Sequence, residues 1–233
     1  MVSEMRIVVV RHGEPNYEKD CLTQLGHVQA ELAAKRLMRE GIREVYSSPM
    51  GRARQTAQAF CDFSGIEEMK ILDFMHEIRW GSVSGEPIFE DGHPWSIADE
   101  MMRRGEDLQA ADWKEHPVFF ADNRAVAECE KVAKKADEWL EGFGYEREGL
   151  YYRCVDSQKA DRTIALFCHG GSSTALFAHL LNMTFPYLCA AIHMDFTGIT
   201  TLRFDSRQGS LTMPILELVS DDYHIKGSVR PGE

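Results

Sequence analysis

The chain has 233 residues, 44% of them hydrophobic, enough to fill the core of one α/β domain of ordinary size. Its formal net charge of −11 argues against a general polyanion binder, because nucleic-acid recognition needs a basic face to displace counterions. Six scattered cysteines (Cys21, Cys61, Cys129, Cys154, Cys168 and Cys189) form no C-x-x-C pair, so buried free thiols are expected rather than a zinc framework or a redox motif. The first residues hold too short an apolar run for a signal peptide, and no segment reaches the roughly 18 consecutive apolar residues of a membrane span. The expectation is a soluble cytoplasmic protein with no membrane or nucleic-acid partner. Oligomeric state has no signature in the sequence.

In chain order, residues 6–10 are a run of mostly β-branched residues that predicts a buried strand, and it ends abruptly in "RHG". The stretch "LGHVQAELAAKRLMREG" predicts an amphipathic helix with Val28, Leu32, Leu37 and Met38 on its core face and Gly41 at its end. Residues 44–47 predict a second strand. "PMGRARQTAQAFCDFSG" predicts a helix that begins after Pro49 and stops at Gly65, and residues 70–74 a third strand. Residues 86 to about 160 differ in character. They carry the irregular "DGHPW" and "DWKEHP" and then the strongly helical "NRAVAECEKVAKKADEWLEGF", with few strand signals. They read as a largely helical insertion packed over the sheet. Residues 163–168 predict the fourth strand, followed by the helix "GSSTALFAHLLNM" with Ser172 or Ser173 as its N-cap. Residues 198–204 and 211–218 supply two more strands, and "KGSVRPGE" reads as a frayed end. Strands alternating with helices predict an α/β fold. It is a three-layer α/β/α sandwich with a mainly parallel central sheet of about six strands, in one domain spanning residues 1–233. Ligands then sit beyond the carboxyl ends of the strands.

Four segments put a cation or a proton carrier where a strand ends: Arg11 and His12 in "RHG", Arg52 in "SSPMGRARQTA", Glu77 in "HEIRWGSVSG" and His169 in "CHGGSS". Cations at the edge of an apolar core are costly unless an anion compensates them. Gly13 lets the chain turn tightly, and Gly170 opens a helix whose amide end favours an anion. Each signal alone is weak; the order and spacing of the four are specific.

On "RHGEP" with "LTQLGHVQA", "YSSPMGRARQTA", "EIRWGSVSG" and "LFCHGGSS", the sequence resembles the histidine phosphatase superfamily, also called phosphoglycerate mutase-like. The resemblance covers roughly residues 6–85 and 163–204. It implies His12 as nucleophile, Glu77 as proton donor, and Arg11, Arg52 and His169 as phosphate ligands, with no metal and no cofactor. Arg54 does not fall on the family's second arginine and reads as a surface charge. The implied activity is hydrolysis of a small phosphomonoester through a phosphohistidine. The residue types suit it. Arginine grips phosphate oxygens in bidentate fashion, and a histidine nucleophile has to be neutral. One ring nitrogen of His12 is expected to donate to a backbone carbonyl near Gly13, and Glu77 to be protonated.

Two alternatives stand beside this reading: mutase-type phosphoryl transfer, and a phospholigand-binding module without catalysis. Where the mutases carry a serine, an asparagine and a long substrate loop, this chain has Pro15, Glu18 and a short connection, with Asn16 offset. A metal hydrolase is disfavoured, since His76, His93, His116, His179, His193 and His224 show no i, i+4 ligand pairing with a carboxylate. Trp95, Trp113, Phe119 and Phe120 are candidates to roof the pocket and select the leaving group, with core packing the plainer role for each. Sugar phosphates, nucleoside monophosphates, ribazole-type phosphates and phosphoglycerates all remain open as substrates.

Overall fold

The computed structural model describes residues 4–226. The chain opens with β1 (Glu4–Arg11), turns through the hairpin β2 (Pro15–Asn16) and β3 (Cys21–Leu22), and enters α1 (Gln24–Leu37). Next come β4 (Glu44–Ser47), α2 (Gly51–Ser64) and β5 (Met69–Ile71). The following segment holds α3 (Pro94–Arg103), α4 (Ala125–Glu141), β6 (Tyr145–Glu148), β7 (Tyr151–Cys154) and α5 (Ser157–Ala160). The chain ends with β8 (Thr163–Cys168), α6 (Gly170–Leu181), α7 (Phe185–Ala191), β9 (Ile199–Asp205), β10 (Leu211–Thr212), β11 (Ile215–Asp221) and α8 (Tyr223–Lys226). Apart from Lys226, the stretch expected to fray lies outside the described residues.

The central sheet has six strands in the order β11-β9-β1-β8-β4-β5. Only β9 runs against the others. Residues 7–10 of β1 are wholly buried, as a strand covered on both faces must be. Their side chains alternate between two cores. Ile7 and Val9 meet Leu166, Leu176 and Phe177 on one face, and Val8 and Val10 meet Ala34, Ala57, Phe60 and Phe167 on the other. Ile97, Phe119 and Phe120 from the 86–160 segment join the first core, so that segment is packed onto the sheet. The mainly parallel α/β architecture agrees with the expected one.

Five local expectations are corrected. The third strand ends at Ile71, where a short 3-10 turn at Asp73–Met75 takes over. The 211–218 run divides: β10 joins β7 and β6 in a separate three-stranded sheet, and β11 begins only at Ile215. The insertion is therefore less helical than expected. Its "YEREGLYYRC" is a hairpin turning at Gly149, which buries Tyr145 and Tyr152 against Phe204. In α6, the N-cap is His169 rather than Ser172 or Ser173; Ser173 lies inside the first turn and donates to the His169 carbonyl at 2.6 Å.

The fifth correction concerns α1. Its buried face is Gly26, Gln29, Ala30, Ala33, Ala34 and Leu37, while Val28 and Met38 are half exposed. The helix lies too close to α2 and to the exit of β1 for large side chains. A Cβ on Gly26 would sit 2.2 Å from the Glu14 carbonyl oxygen, and one on Gly13 would sit 2.5 Å from the Gly26 carbonyl oxygen. Gly13 is thus required by a close approach of two backbones. Gly26→Ala is expected to destabilise by roughly 1–3 kcal/mol, and Val28→Ala by less than about 0.5 kcal/mol, in chemical denaturation. A larger cost at Val28 would restore the apolar stripe as the buried face.

Among the described residues, no helix is long and apolar enough to cross a membrane.

Candidate active site

Register brings the site together. Arg11 pairs with Cys168 across β1 and β8, and Ser47 pairs with Phe167 across β4 and β8. The next residues, His12, His169 and Ser48, therefore leave the sheet side by side. The rings of His12 and His169 lie 5.0 Å apart at 61°. Arg52 follows in the first turn of α2 and is almost fully buried.

His12 has its hydrogen bonds fixed on both nitrogens. Nδ1 lies 2.7 Å from the Gly13 carbonyl, and Nε2 receives the Arg52 Nε–H at 3.2 Å. A carbonyl can only accept and a guanidinium can only donate, so the proton is on Nδ1 and the lone pair is on Nε2. Arg52 is held by Asp20, whose carboxylate accepts from Arg52 Nη1 at 2.6 Å and from the Gly51 amide at 2.7 Å. Asp20 reaches it from the β2–β3 hairpin, which crosses α2 so closely that a Cβ on Gly51 would sit 2.1 Å from the Asp20 carbonyl oxygen.

Arg11 donates through Nη1 to the Met194 carbonyl and stacks 4.3 Å from the centre of Phe196. Its Nε is buried without a partner, as is Nδ1 of His169. Nε2 of His169 lies 2.7 Å from the Ser48 hydroxyl. That hydroxyl accepts the Met50 amide at 3.2 Å and keeps its own proton free to point at Nε2, and in that arrangement Nδ1–H is the outward donor of His169.

Burial, reinforced by Arg52 and Arg11, lowers the His12 pKa to about 3. Burial also holds His169 well below the ordinary histidine range, with His12, Arg52 and Arg11 acting in the same direction. Both imidazoles are neutral near pH 7. Glu77 is shifted the other way: burial raises its carboxyl, against the pull of two amides and the two arginines. The Ile78 and Ser172 amides both donate to Oε1, at 2.9 and 3.2 Å, so a proton on Glu77 belongs on Oε2. Gly171 is confined by this carboxyl, since a Cβ there would lie 2.6 Å from Oε1.

A cavity of about 390 Å³ opens onto Arg11, Glu77 and Gly170, and Tyr17, Trp80, His93, Trp95, Ile192, His193 and Met194 add to its lining. Arg11 and the Glu77 carboxyl thus face one opening, with the neutral His12 imidazole and Arg52 buried next to them. Among the described residues, no group of three or more His, Cys, Asp or Glu side chains is placed to hold a metal ion.

Residues 7–214 match the model of the histidine phosphatase superfamily (branch 1). The chain belongs to that superfamily. Phosphatase activity is what this membership supports. A candidate phosphoserine phosphatase of Hydrogenobacter thermophilus is 25% identical over 217 residues, covering 88% of this chain and 93% of that protein. A probable phosphoglycerate mutase of Yersinia pestis is 32% identical over 93 residues, 36% of this chain and 43% of that protein. Among solved structures, a variant phosphoserine phosphatase of Entamoeba histolytica bound to phosphoserine superposes with a TM-score of 0.60 at 23% identity. The match covers 95% of this chain and 99% of that one.

All six residues singled out from the sequence, Arg11, His12, Arg52, Glu77, His169 and Gly170, come together at this edge. Arg54 is exposed, and Trp113, Phe119 and Phe120 are core residues; of the four aromatics considered as a roof, only Trp95 lines the cavity. Ser48 was overlooked although it lies inside "YSSPMGRARQTA". Asp20 and Phe196 sit in segments that carry no motif, and His93 and His193, considered in the sequence only as metal ligands, both line the cavity.

The depressed histidines make stability depend on pH. An unfolded histidine binds its proton below about 6.5, whereas folded His12 does so only below about 3. Within that window the unfolded state holds more protons, so these histidines leave stability intact above the window and erode it as pH falls through it. His12→Asn is expected to flatten the fall by up to about 1.4 kcal/mol per pH unit, read from denaturant titrations between about pH 4 and pH 7. An unchanged slope would mean that His12 is not held neutral by the fold.

Proposed function

We propose that the protein is a metal-independent phosphomonoesterase that hydrolyses a small phosphorylated metabolite through a phosphohistidine on His12, working as one domain. The observation that carries this reading is the fixed tautomer of His12. Its Nε2 lone pair lies among donors that fit phosphoryl oxygens, and burial keeps it unprotonated.

In the first step Nε2 attacks phosphorus, and the bond from phosphorus to the ester oxygen breaks. The departing electron pair goes to that oxygen, which takes the proton from Glu77 Oε2. Arg11, Arg52 and the outward Nδ1–H of His169 share the charge on the transferring oxygens, and Gly170 leaves the helix end open to them. The Nδ1–H of His12, still bonded to the Gly13 carbonyl, carries the positive charge of the phosphorylated ring. In the second step the Glu77 carboxylate takes a proton from water, and the oxygen of that water attacks phosphorus. The N–P bond breaks, its electron pair returns to Nε2, and inorganic phosphate leaves. Arg52 has to release the Nε2 lone pair it holds before the first attack, so substrate phosphate exchanges places with Nε2 as its acceptor.

Mutase-type transfer is the second reading, favoured by the Yersinia likeness over 93 residues. Against it stands the connection at Pro15–Leu22, which is only a tight hairpin. A mutase has to shield its phosphoenzyme from water, and a hairpin this short offers little cover.

His12→Ala is expected to abolish phosphate release in chelator-containing buffer and to remove an acid-labile phosphoryl label that the wild type acquires. Glu77→Gln is expected to lower kcat by roughly 10²-fold or more while inorganic phosphate inhibits at a similar concentration, and to remove the alkaline fall in rate that deprotonation of Oε2 produces. Turnover by His12→Ala, or a chelator-sensitive wild type, would overturn the proposal.

A further inference from the structure

We infer that the part of the pocket beyond the phosphoryl group selects esters whose leaving group is an uncharged ring, over carboxylate-bearing esters such as phosphoserine. The inference rests on the phosphatase reading and names the substrate class for the same site.

The walls carry the argument. Trp80, His93 and Trp95 form a ring cluster, with centroids 5.2 Å apart for Trp80 and His93, 5.4 Å for His93 and Trp95, and 6.4 Å for the two indoles. The cluster adjoins the phosphoryl end directly. A Cβ on Gly170 would lie 3.7 Å from Arg11 Nε and 4.0 Å from Trp95 Cζ2, so one glycine separates the guanidinium from the indole. A leaving group attached to a phosphate on Arg11 therefore starts against Trp95. Ile192 and Met194 add apolar lining.

The donors in this part are ring N–H groups. Nδ1 of His93 accepts the Ser96 amide at 3.3 Å, which leaves Nε2–H as its donor. Among the described residues, neither the Trp80 nor the Trp95 indole N–H has an acceptor, and the Trp95 N–H is not buried without one. Such donors suit hydroxyl and carbonyl oxygens, and indole faces suit the flat side of a ring.

A carboxylate finds no counterpart here. Among the described residues lining the cavity there is no lysine and no arginine besides Arg11, which faces the phosphoryl end. His193 is 79% exposed and lies 3.4 Å from Asp195, so it already faces an acid. The Glu77 carboxyl stands at the same opening. A leaving-group carboxylate would be desolvated against indoles without a cation to offset it. At about 390 Å³ the cavity is near the small end of small-molecule sites, which span about 300–1,000 Å³. That suits a ring of one or two cycles rather than a polymer.

The test compares kcat/KM for glucose 6-phosphate, phenyl phosphate, phosphoserine and 3-phosphoglycerate. At least one ring ester is expected to exceed both carboxylated esters by about tenfold or more, the effect of one charged group left unpaired. A lead for the glucose ester assigns the subsite to sugars, and a lead for the phenyl ester assigns it to aromatic alcohols. Trp95→Ala, and Trp80→Ala at the more exposed indole, are each expected to shrink that ratio by roughly fivefold. Phosphoserine or 3-phosphoglycerate matching the ring esters would overturn the inference, as would a ratio untouched by both tryptophan variants. Calorimetric binding of the same four esters to His12→Ala protein repeats the comparison without turnover. A wild type that hydrolyses nothing would then sink the phosphatase reading, while equal binding of ring and carboxylated esters would sink this one.

Discussion

An imidazole kept neutral between two guanidinium groups is the constraint around which the rest of the structure is arranged. Burying His12 beside Arg11 and Arg52 gathers like charges in a medium that solvates them poorly, so each member needs a specific partner. Asp20 holds Arg52, the Met194 carbonyl and the Phe196 ring hold Arg11, and the Gly13 carbonyl holds Nδ1 of His12. Apart from Gly13, none of these partners is next to Arg11 and His12 in the chain. The hairpin, the turn after α7 and the start of α2 are brought to one edge to supply them. The glycines at 13, 26 and 51 permit the backbone contacts that this convergence requires.

The same cause moves the two ends of the proposed proton path in opposite directions. Withdrawal from water disfavours the charged form of any group, so it lowers a histidine and raises a carboxyl. His12 therefore keeps its lone pair and Glu77 keeps its proton at one pH, without either acting on the other. A base that is free and an acid that is loaded are the starting state for displacement with a protonated leaving group. The division within the Glu77 carboxyl adds direction, because two amides fix Oε1 and leave Oε2 to exchange the proton.

The strand ends were legible because they obey short-range rules. A β-branched run that stops at Arg11, and a glycine pair after His169, mark the carboxyl edge of a parallel sheet wherever the strands finally pair. What was not legible depends on distance across the fold. Asp20 has meaning only once the hairpin lies on α2, and Phe196 only once residues 194–197 return beside β1. In α1 the apolar pattern pointed to Val28 and Met38, but the close backbone approach at Gly26 and the alanines beside it set the buried face, so steric fit overrode hydrophobicity. The β6–β7 hairpin was hidden by charge: Glu146, Arg147 and Glu148 mask an alternation whose inward side is set by Tyr145 and Tyr152.

This division between local and distant signals has a chemical counterpart. The phosphoryl end is built from the edges of strands that also form the core, so its geometry is tied to the stability of the sheet and leaves little room to vary. The leaving-group end is built by Trp80 and by His93 and Trp95 at the start of α3, on a segment fastened to the same core through Ile97 and Ala98. Pro94 fixes the first turn of that helix, and the His93 side chain caps it through the Ser96 amide, so the two rings on either side of Pro94 are held by the helix start itself. A ring platform set on a capped helix end is preorganised, and it discriminates by contact and by the absence of a cation rather than by closing around its ligand. Changing which alcohol departs would then require new side chains on one helix end, with the displacement chemistry at the sheet edge left as it is.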